Sequence, residues 1–255
     1  MVFKKMLRSL GVGGPSVDTV LSTPNVQPGG TLAGEVRITG GDHDVDIEYI
    51  ALSLVTKVEI ETDDADYDAT QEFHKGHVAG AFRMAAGQHT VVPFQIPVPW
   101  EIPITEFYGQ HLHGMSMGVR TELSVARALD KGDRDPVSVS PLPSQLRVLE
   151  AFGQLGFRFR SADNERGRLH GVAQQLPFFQ EIEFAPPMQY ANRIKEVELT
   201  FVADPQGLNI VLEADNRGGF FTPSRDTYGR WYVSHQDAMQ RDWAAEINNW
   251  LMSRR

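Results

Sequence analysis

Cysteine is absent from the 255-residue chain. That excludes disulfides, thiolate metal sites and a cysteine nucleophile together, and it fits a reducing cytoplasm. No apolar run approaches the roughly 20 residues of a membrane-spanning helix. The opening MVFKKMLRSLGVGG is basic, but it has neither an apolar core nor a small-residue cleavage site, so it does not read as a signal peptide. Positive charge is scarce. The 24 Lys and Arg face 33 Asp and Glu, for a net charge of -9, which speaks against a nucleic-acid partner. Residues 1–144 hold 11 basic and 19 acidic side chains and the remainder 13 and 14, so the acidity is expected on the first half. Signatures of catalysis are missing too. Ser144, Ser161 and Ser234 have no nucleophile-elbow motif around them, and GVGG leads into Pro15 rather than a Lys-Ser pair, so it is no phosphate loop. The chain is therefore expected to be no enzyme and to need no cofactor.

Alternation with a period of two fills much of the chain. In TLAGEVRITGG, Leu32, Gly34, Val36 and Ile38 share one parity. From Glu48 to Glu61, Ile50, Leu52, Leu54, Val58 and Ile60 do so, interrupted by Thr56. This predicts an antiparallel strand with one wet face. The acidic stretch ETDDADYDATQEFHKG then reads as a turn, with a strand returning over about Val78–Met84. Val119, Thr121, Leu123 and Val125 alternate again, and the turn spacing indicates a β-sandwich. TVVPFQIPVPWEIPIT is apolar yet holds Pro93, Pro97, Pro99 and Pro103. Proline cannot donate to a ladder, so this run is expected at a protected sheet edge.

A boundary falls in SPLPSQLRVLEAFGQLG. Ser144 could cap a short helix that turns Leu146, Val148, Leu149 and Phe152 inward, with Gly156 just past its end. Strand patterns resume in FRFRSAD, FFQEIEF, RIKEVELTFVAD and GLNIVLEAD. The predicted architecture is mainly β: two tandem sandwiches at 14–142 and 157–233, joined by a helix and linker at 143–156. The border between Leu142 and Phe157 is expected to interrupt the sheets. An amphipathic helix over 1–13 carries Phe3, Met6, Leu7 and Leu10 on one face. Another over 234–255 carries Met239, Trp243, Ile247, Trp250 and Leu251, with Ser234 and Asp237 forming a capping box.

The succession FKKMLRSLGVGG, VDTVL, QPGGTLAGEVRITGG, IEYIALSLVTK, VVPFQIPVP, GDRD, PLP, LEAFGQLGFRFRSAD and QEIEFAPP resembles the bacterial sporulation-control family, stage-zero M type, over nearly the whole chain. The resemblance implies an arrestin-like fold, in which Pro93-Phe94 would be the Pro-Phe step of the first sandwich. It also implies a non-enzymatic adaptor or regulator with protein partners in sporulation or cell-cycle control, and supplies no catalytic residues. A small-molecule or lipid-binding sandwich is the alternative. Partners are expected to be other proteins, with a homo-oligomer left open and nucleic acid not among them.

Several polar groups invite a functional reading. Asp133, Arg134 and Asp135 precede the domain connection and could form an interdomain polar lock; a charged turn bounded by Gly132 and Pro136 is the plainer explanation. His111 and His113 have a chelating spacing, but two ligands are too few for zinc unless His74 and His77 join them. Asp64, Asp66 and Asp68 imitate the start of a calcium loop, yet Ala69 sits where the glycine belongs and Lys75 where the bidentate Glu belongs, which leaves a solvated hairpin tip. Phe3, Met6, Leu7 and Leu10, with cations beside them, suit weak, reversible contact with an anionic membrane. Trp243, Ile247 and Trp250 suit a protein partner. Docking of both helices on their own sandwiches is the competing reading. The protein is placed in the cytoplasm, with a peripheral membrane contact allowed by the first helix.

Overall fold

The computed structural model describes residues 13–60, 67–126, 128–216 and 227–253. The proposed N-terminal helix, with Phe3, Met6, Leu7 and Leu10, lies outside the described residues, as do Asp64 and Asp66. The first half forms β1 (Ser16–Leu21), β2 (Asn25–Val26), β3 (Thr31–Thr39), β4 (Val45–Ile60), β5 (Tyr67–Ala79), β6 (Phe82–Met84), β7 (His89–Pro97), β8 (Glu106–Phe107), β9 (Gln110–His111), β10 (Met117–Val125), β11 (Lys131–Pro136) and β12 (Ser138–Val139). One sheet has the order β1-β3-β7, and the strands β11-β10-β4, with β5 and β6 on β4, make the other. Leu32, Val36 and Ile38 of β3 and Ile50, Leu52, Leu54, Val119 and Leu123 of the second sheet are all buried in one core. Each such side chain contributes about 1.5–3 kcal/mol when removed from water. The Thr19 and Thr121 hydroxyls meet at 2.6 Å inside it.

The proline run sits where its chemistry requires. β7 is the terminal strand of its sheet, pairing only with β3, and Pro93 and Pro97 face Glu35 and Thr31 across that single ladder. Their missing N–H groups leave the free edge without donors there. Two strand expectations need correction. β5 begins at Tyr67, well inside the expected acidic turn, and meets β4 through register shifts at Ile50/Ala51 and Leu52/Leu54. Polar residues and these irregularities hide its alternation. β4 also lacks a wet face along its middle: Ala51, Ser53 and Val55 are as buried as Leu52 and Leu54. Glu122, Arg120 and Glu72 lie directly across from them, and the Lys75–Glu122 and Arg120–Glu72 ion pairs, at 2.6 and 2.9 Å, roof these small side chains.

The second half holds α1 (Pro143–Gln154), β13 (Arg158–Arg166), β14 (Phe178–Ala185), α2 (Met188–Ala191), β15 (Ile194–Ala203), β16 (Gly207–Asn216), β17 (Thr227–Ser234), α3 (His235–Gln240) and α4 (Trp243–Ser253). Its strands follow one another in the order β13-β14-β15-β16-β17, and among the described residues they share one sheet. Helices back one face of it, through Phe152 stacked on Phe184 and Trp231 edge-on to Trp243 and Trp250. The expected interruption of the sheets between Leu142 and Phe157 does not occur. β13 pairs with β4 in parallel at Glu165 and Glu59, which joins both halves into a ten-stranded sheet. The long β4 outruns its own sandwich and offers its end to β13.

α1 starts one residue before the expected cap. Leu142 is the N-cap, Pro143 supplies the first turn with its fixed φ, and Gln145 Oε1 accepts from the Leu142 N–H at 2.8 Å. Ser144 instead bonds His235 Nδ1 at 2.8 Å. At the far end Gly156 adopts φ +82°, and Phe157 N–H reaches the Phe152 carbonyl while Gly156 N–H reaches Gly153, a Schellman ending. The C-terminal helix is two helices, with Ser234 Oγ accepting from the Asp237 N–H at 3.0 Å to start the first. Their apolar stripe docks on the chain's own sheet. Trp243, Ile247, Trp250 and Leu251 are all buried, which corrects the assignment of the first three to a partner interface. Four such side chains are too much apolar surface to leave in water when a sheet face lies beside them.

Candidate functional site

The proposed interdomain lock is not where the structure places those residues. Asp133, Arg134 and Asp135 lie on β11, an edge strand of the first half. Asp133 Oδ2 accepts the Thr19 N–H at 2.8 Å, tying the two sheets of the sandwich. Arg134 is exposed, and among the described residues its guanidinium forms no ion pair. Alternation along an edge strand, rather than a turn, puts the three side chains on opposite faces. The histidines also stay apart. His111 Nε2 bonds the Met115 carbonyl at 2.9 Å, His77 stacks on Tyr49, and the groups of described residues that converge tightly enough to hold a cation contain only carboxylates. Asp68 lies on β5 and pairs with Lys57 at 3.1 Å.

Contacts between the halves come from other residues. Gln180 clamps the Ile104 backbone, its Oε1 accepting from N–H at 3.1 Å and its Nε2 donating to the carbonyl at 2.8 Å. Glu101 accepts both the Gln175 and Leu176 N–H groups at 2.8 Å. Asn164 Nδ2 reaches Thr56 Oγ1 and the Lys57 carbonyl.

The open face of the C-terminal sheet carries the strongest chemistry. Register places Asp163 opposite Glu181, Glu183 opposite Glu198, Glu198 opposite Glu213 and Glu196 opposite Asp215. Like charges directly across a ladder destabilise it. Asp163, Glu165 and Glu181 bring carboxylate oxygens within 4.8 Å of one another, and so do Glu181, Glu198 and Glu213. At an effective dielectric of about 20, two unit charges at that spacing repel by roughly 3–4 kcal/mol. The basic side chains stand at the margin: Lys195 bonds Asp215 at 2.8 Å, and Arg160 bonds Glu196. Glu165, Glu181, Glu198 and Glu213 floor a cleft of about 710 Å³ whose walls include Leu169, His170, Phe179, Val211, Tyr228 and Arg230.

Burial, reinforced by the neighbouring carboxylates, pushes the Asp163 carboxyl up to about 7 and Glu198 up to about 8. Glu181, between them, is raised further by burial, then by Glu198, Glu165 and Asp163. Asp163 Oδ1 is buried with no hydrogen-bond partner. Such an all-oxygen donor set matches hard cations such as calcium and magnesium. Equally, it can retain protons at neutral pH, or receive a cationic side chain between apolar walls. Buried carboxyls displaced from their ordinary range and gathered in a cleft make a functional-site candidate.

A family model described as SpoOM protein matches residues 3–218. A curated relative, the sporulation-control protein spo0M of Bacillus subtilis strain 168, is 36% identical over 216 residues, covering 84% of this chain and 81% of that protein. The chain belongs to the Spo0M family. The crystal structure of Spo0M from Bacillus subtilis is also similar, with 30% identity and a TM-score of 0.80 over 94% of this chain and 99% of that one. Both the sporulation-control resemblance and the mainly β, arrestin-like fold expected from the sequence hold.

Within this Spo0M-family chain the acidic cleft escaped sequence reasoning. The second half is nearly neutral, with 13 basic and 14 acidic side chains, so its composition does not betray a face where acids gather. Alternating acids at Asp163/Glu165, Glu181/Glu183, Glu196/Glu198 and Glu213/Asp215 were the available signal. Each pair alone reads as an ordinary wet face. Only the register stacks them.

Proposed function

We propose that this Spo0M-family chain is a non-enzymatic regulator that works by binding other proteins in sporulation or cell-cycle control, with the acidic cleft of the C-terminal sheet as its docking face. The observation that carries the reading is the cleft itself: about 710 Å³, open, floored by Glu181, Glu198 and Glu213 and walled by Phe179, Val211 and Tyr228. Such a surface suits a basic segment with apolar neighbours, because an arriving cation can take the place of the protons that burial keeps on these carboxyls and neutralise them instead. The name of the Bacillus subtilis relative, a sporulation-control protein, supports a regulatory role. A small-molecule site between the halves is less well supported. The hollow beside Trp100, Glu101, Leu176 and Asp204 holds about 210 Å³, less than the roughly 300–1,000 Å³ of most ligand pockets, and the one of about 520 Å³ along Tyr108, Phe157 and Phe159 lies wider open to solvent than the acidic cleft. The cytoplasm remains the expected location.

Affinity capture from the native host, run in parallel with wild type and Glu198→Lys, tests this. The reading expects protein partners that the wild type retains and the charge-reversed cleft loses. Partners held equally by both, or a copurifying small molecule without protein, would sink it.

A further inference from the structure

Strand β17 ends the ten-stranded sheet, with β16 as its ladder partner. Two hydrogen bonds fix which of its backbone groups face outward. Asp204 N–H donates to the Gly207 carbonyl at 3.0 Å, so Gly207 and every second residue after it along β16 bond β15, and Leu208, Ile210 and Leu212 bond β17. His235 N–H donates to the Gln206 carbonyl at 3.3 Å and continues the same register. Val233, Trp231 and Gly229 therefore direct their N–H and C=O groups at β16, while Arg230 and Tyr232 turn theirs to the outer edge. Among the described residues no hydrogen bond from another element reaches those four outward groups. Such an edge is a template for another strand, and proteins guard it with prolines, bulges, charges or a covering element. The other long edges here are guarded. β7 carries Pro93 and Pro97. β1 and β11 close on each other, where the Asp133 carboxylate takes the Thr19 N–H. β5 is broken by two register shifts and carries Asp68, Glu72 and Lys75. β17 has no proline, no register shift against β16 and a single charge, Arg230, between the exposed rings of Tyr228 and Tyr232.

We propose that the outer edge of β17 is a homodimer interface, on which a second copy of this chain adds its own β17 antiparallel about a two-fold axis at Trp231. The residues of the edge select that partner. In this register Arg230 lies opposite Tyr232 of the second copy, and Tyr232 opposite the second copy's Arg230. Both residues present outward groups, so each pair closes two N–H···O=C bonds. Directly opposed side chains stand about 4.5–5.5 Å apart at Cβ. Each guanidinium thus meets a tyrosine ring, a cation–π contact made twice by symmetry. Arg230 donates to the His170 and Gly171 carbonyls, which holds the guanidinium in place, and donation in its plane leaves its faces to a ring. Centring the axis on Arg230 would instead set two guanidiniums opposite each other, which destabilises a ladder. A basic segment of another protein meets the same objection, because it brings cations to Arg230. The pairing uses none of the cleft carboxylates, so it stands or falls separately from the docking role proposed for them.

Sedimentation of the full chain over a dilution series, run beside Tyr232→Lys and Tyr232→Phe, tests it. Wild type and Tyr232→Phe, which keeps the ring, should sediment as dimers that dissociate on dilution. Tyr232→Lys sets a cation opposite each Arg230 and should raise the dimer dissociation constant about tenfold or more. A wild type that stays monomeric throughout the series overturns the proposal, whether or not it captures other proteins. So does a dimer that Tyr232→Lys leaves intact. Residue-resolved amide exchange of the wild type decides without relying on either variant. The Gly229 and Trp231 amides, bonded to β16, should be protected at every concentration. The Arg230 and Tyr232 amides should gain protection only as the dimer forms. Equal exchange of those two amides in monomer and dimer would put the contact elsewhere and overturn the edge.

Discussion

Thr56 and Asn164 meet across the junction of the two halves, the Asn164 amide donating to the Thr56 hydroxyl at 3.0 Å. Thr56 passes its own proton to the Ser116 carbonyl at 2.7 Å, and Asn164 also donates to the Lys57 carbonyl at 2.8 Å. Both residues are essentially inaccessible, at 0% and 1% exposure. In the sequence Thr56 is the one polar interruption of an apolar parity, and here is its reason: β4 ends its sandwich at this residue and turns its edge toward β13. Asn164→Ala is expected to lower stability by about 1–3 kcal/mol, the usual result of stranding a buried hydrogen-bond partner. A double-mutant cycle with Thr56→Val should show coupling of about 0.5 kcal/mol or more. Additive effects would mean that the two halves are held elsewhere.

Asp133 and Arg134 are adjacent in sequence and opposite in consequence. Asp133 gives its carboxylate to the Thr19 N–H, a charge-assisted bond that joins the sheets of the sandwich. Arg134 extends into solvent. Asp133→Ala should cost about 1.5–3 kcal/mol. Arg134→Ala should stay within about 0.5 kcal/mol, as surface changes do. Denaturant unfolding of the two variants under one condition checks both, and a large effect of Arg134→Ala would restore it as a lock.

The contrast shows what the sequence could and could not reveal. Period-two alternation located β3, most of β4, β10, β15 and β16, and the prolines marked β7 as an edge, because those signals are local. The break near Pro143 and the glycine ending at Gly156 are local as well. Whatever depends on register stayed hidden: the Glu59–Glu165 bridge, the Gln180 clamp on Ile104 and the stacking of acids from four strands into one cleft. Glu198 reads the same whether Glu183 and Glu213 flank it or not. Sequence nearness also misled at GDRD, which precedes the domain connection in the chain but faces Thr19 in space.

Asp135 provides a pH effect in the first half. Its Oδ2 is buried without a partner, and burial, then Asp133 and Asp18, raises its carboxyl from 3.8 to about 6. The folded state thus binds a proton more tightly than the unfolded chain. The associated stabilisation is complete below about pH 4 and is lost as pH rises through about 6. Asp135→Asn should be more stable than wild type at pH 7 and lose that advantage toward pH 4. Thermal unfolding at the two pH values checks it; a variant less stable at pH 7 would show that the charged form is favoured there.

Gly229 and Trp250 give the sharpest test of how the C-terminal helices are used. Trp250 is 6% exposed and packs edge-on to Trp231, and its indole Nε1 has no hydrogen-bond partner. A Cβ on Gly229 would stand 2.6 Å from that Nε1 and 2.8 Å from Trp231 Cη2. The backbone of β17 therefore approaches the indole as closely as it does only because residue 229 has no side chain. Rigid rings on both sides leave little room to yield, so Gly229→Ala should cost about 1–3 kcal/mol by overpacking. Trp250→Ala should cost about 3–5 kcal/mol by opening a cavity. Trp250→Phe forfeits no hydrogen bond and removes the ring that the new methyl would strike. The double variant Gly229→Ala/Trp250→Phe should accordingly be more stable than the sum of the single changes predicts, by about 0.5 kcal/mol or more. Were Trp250 instead an anchor for another protein, Trp250→Ala would leave the unfolding midpoint almost unchanged and weaken only association. Equilibrium unfolding of the wild type and the four variants separates these outcomes, because intramolecular docking alone couples residue 229 to residue 250.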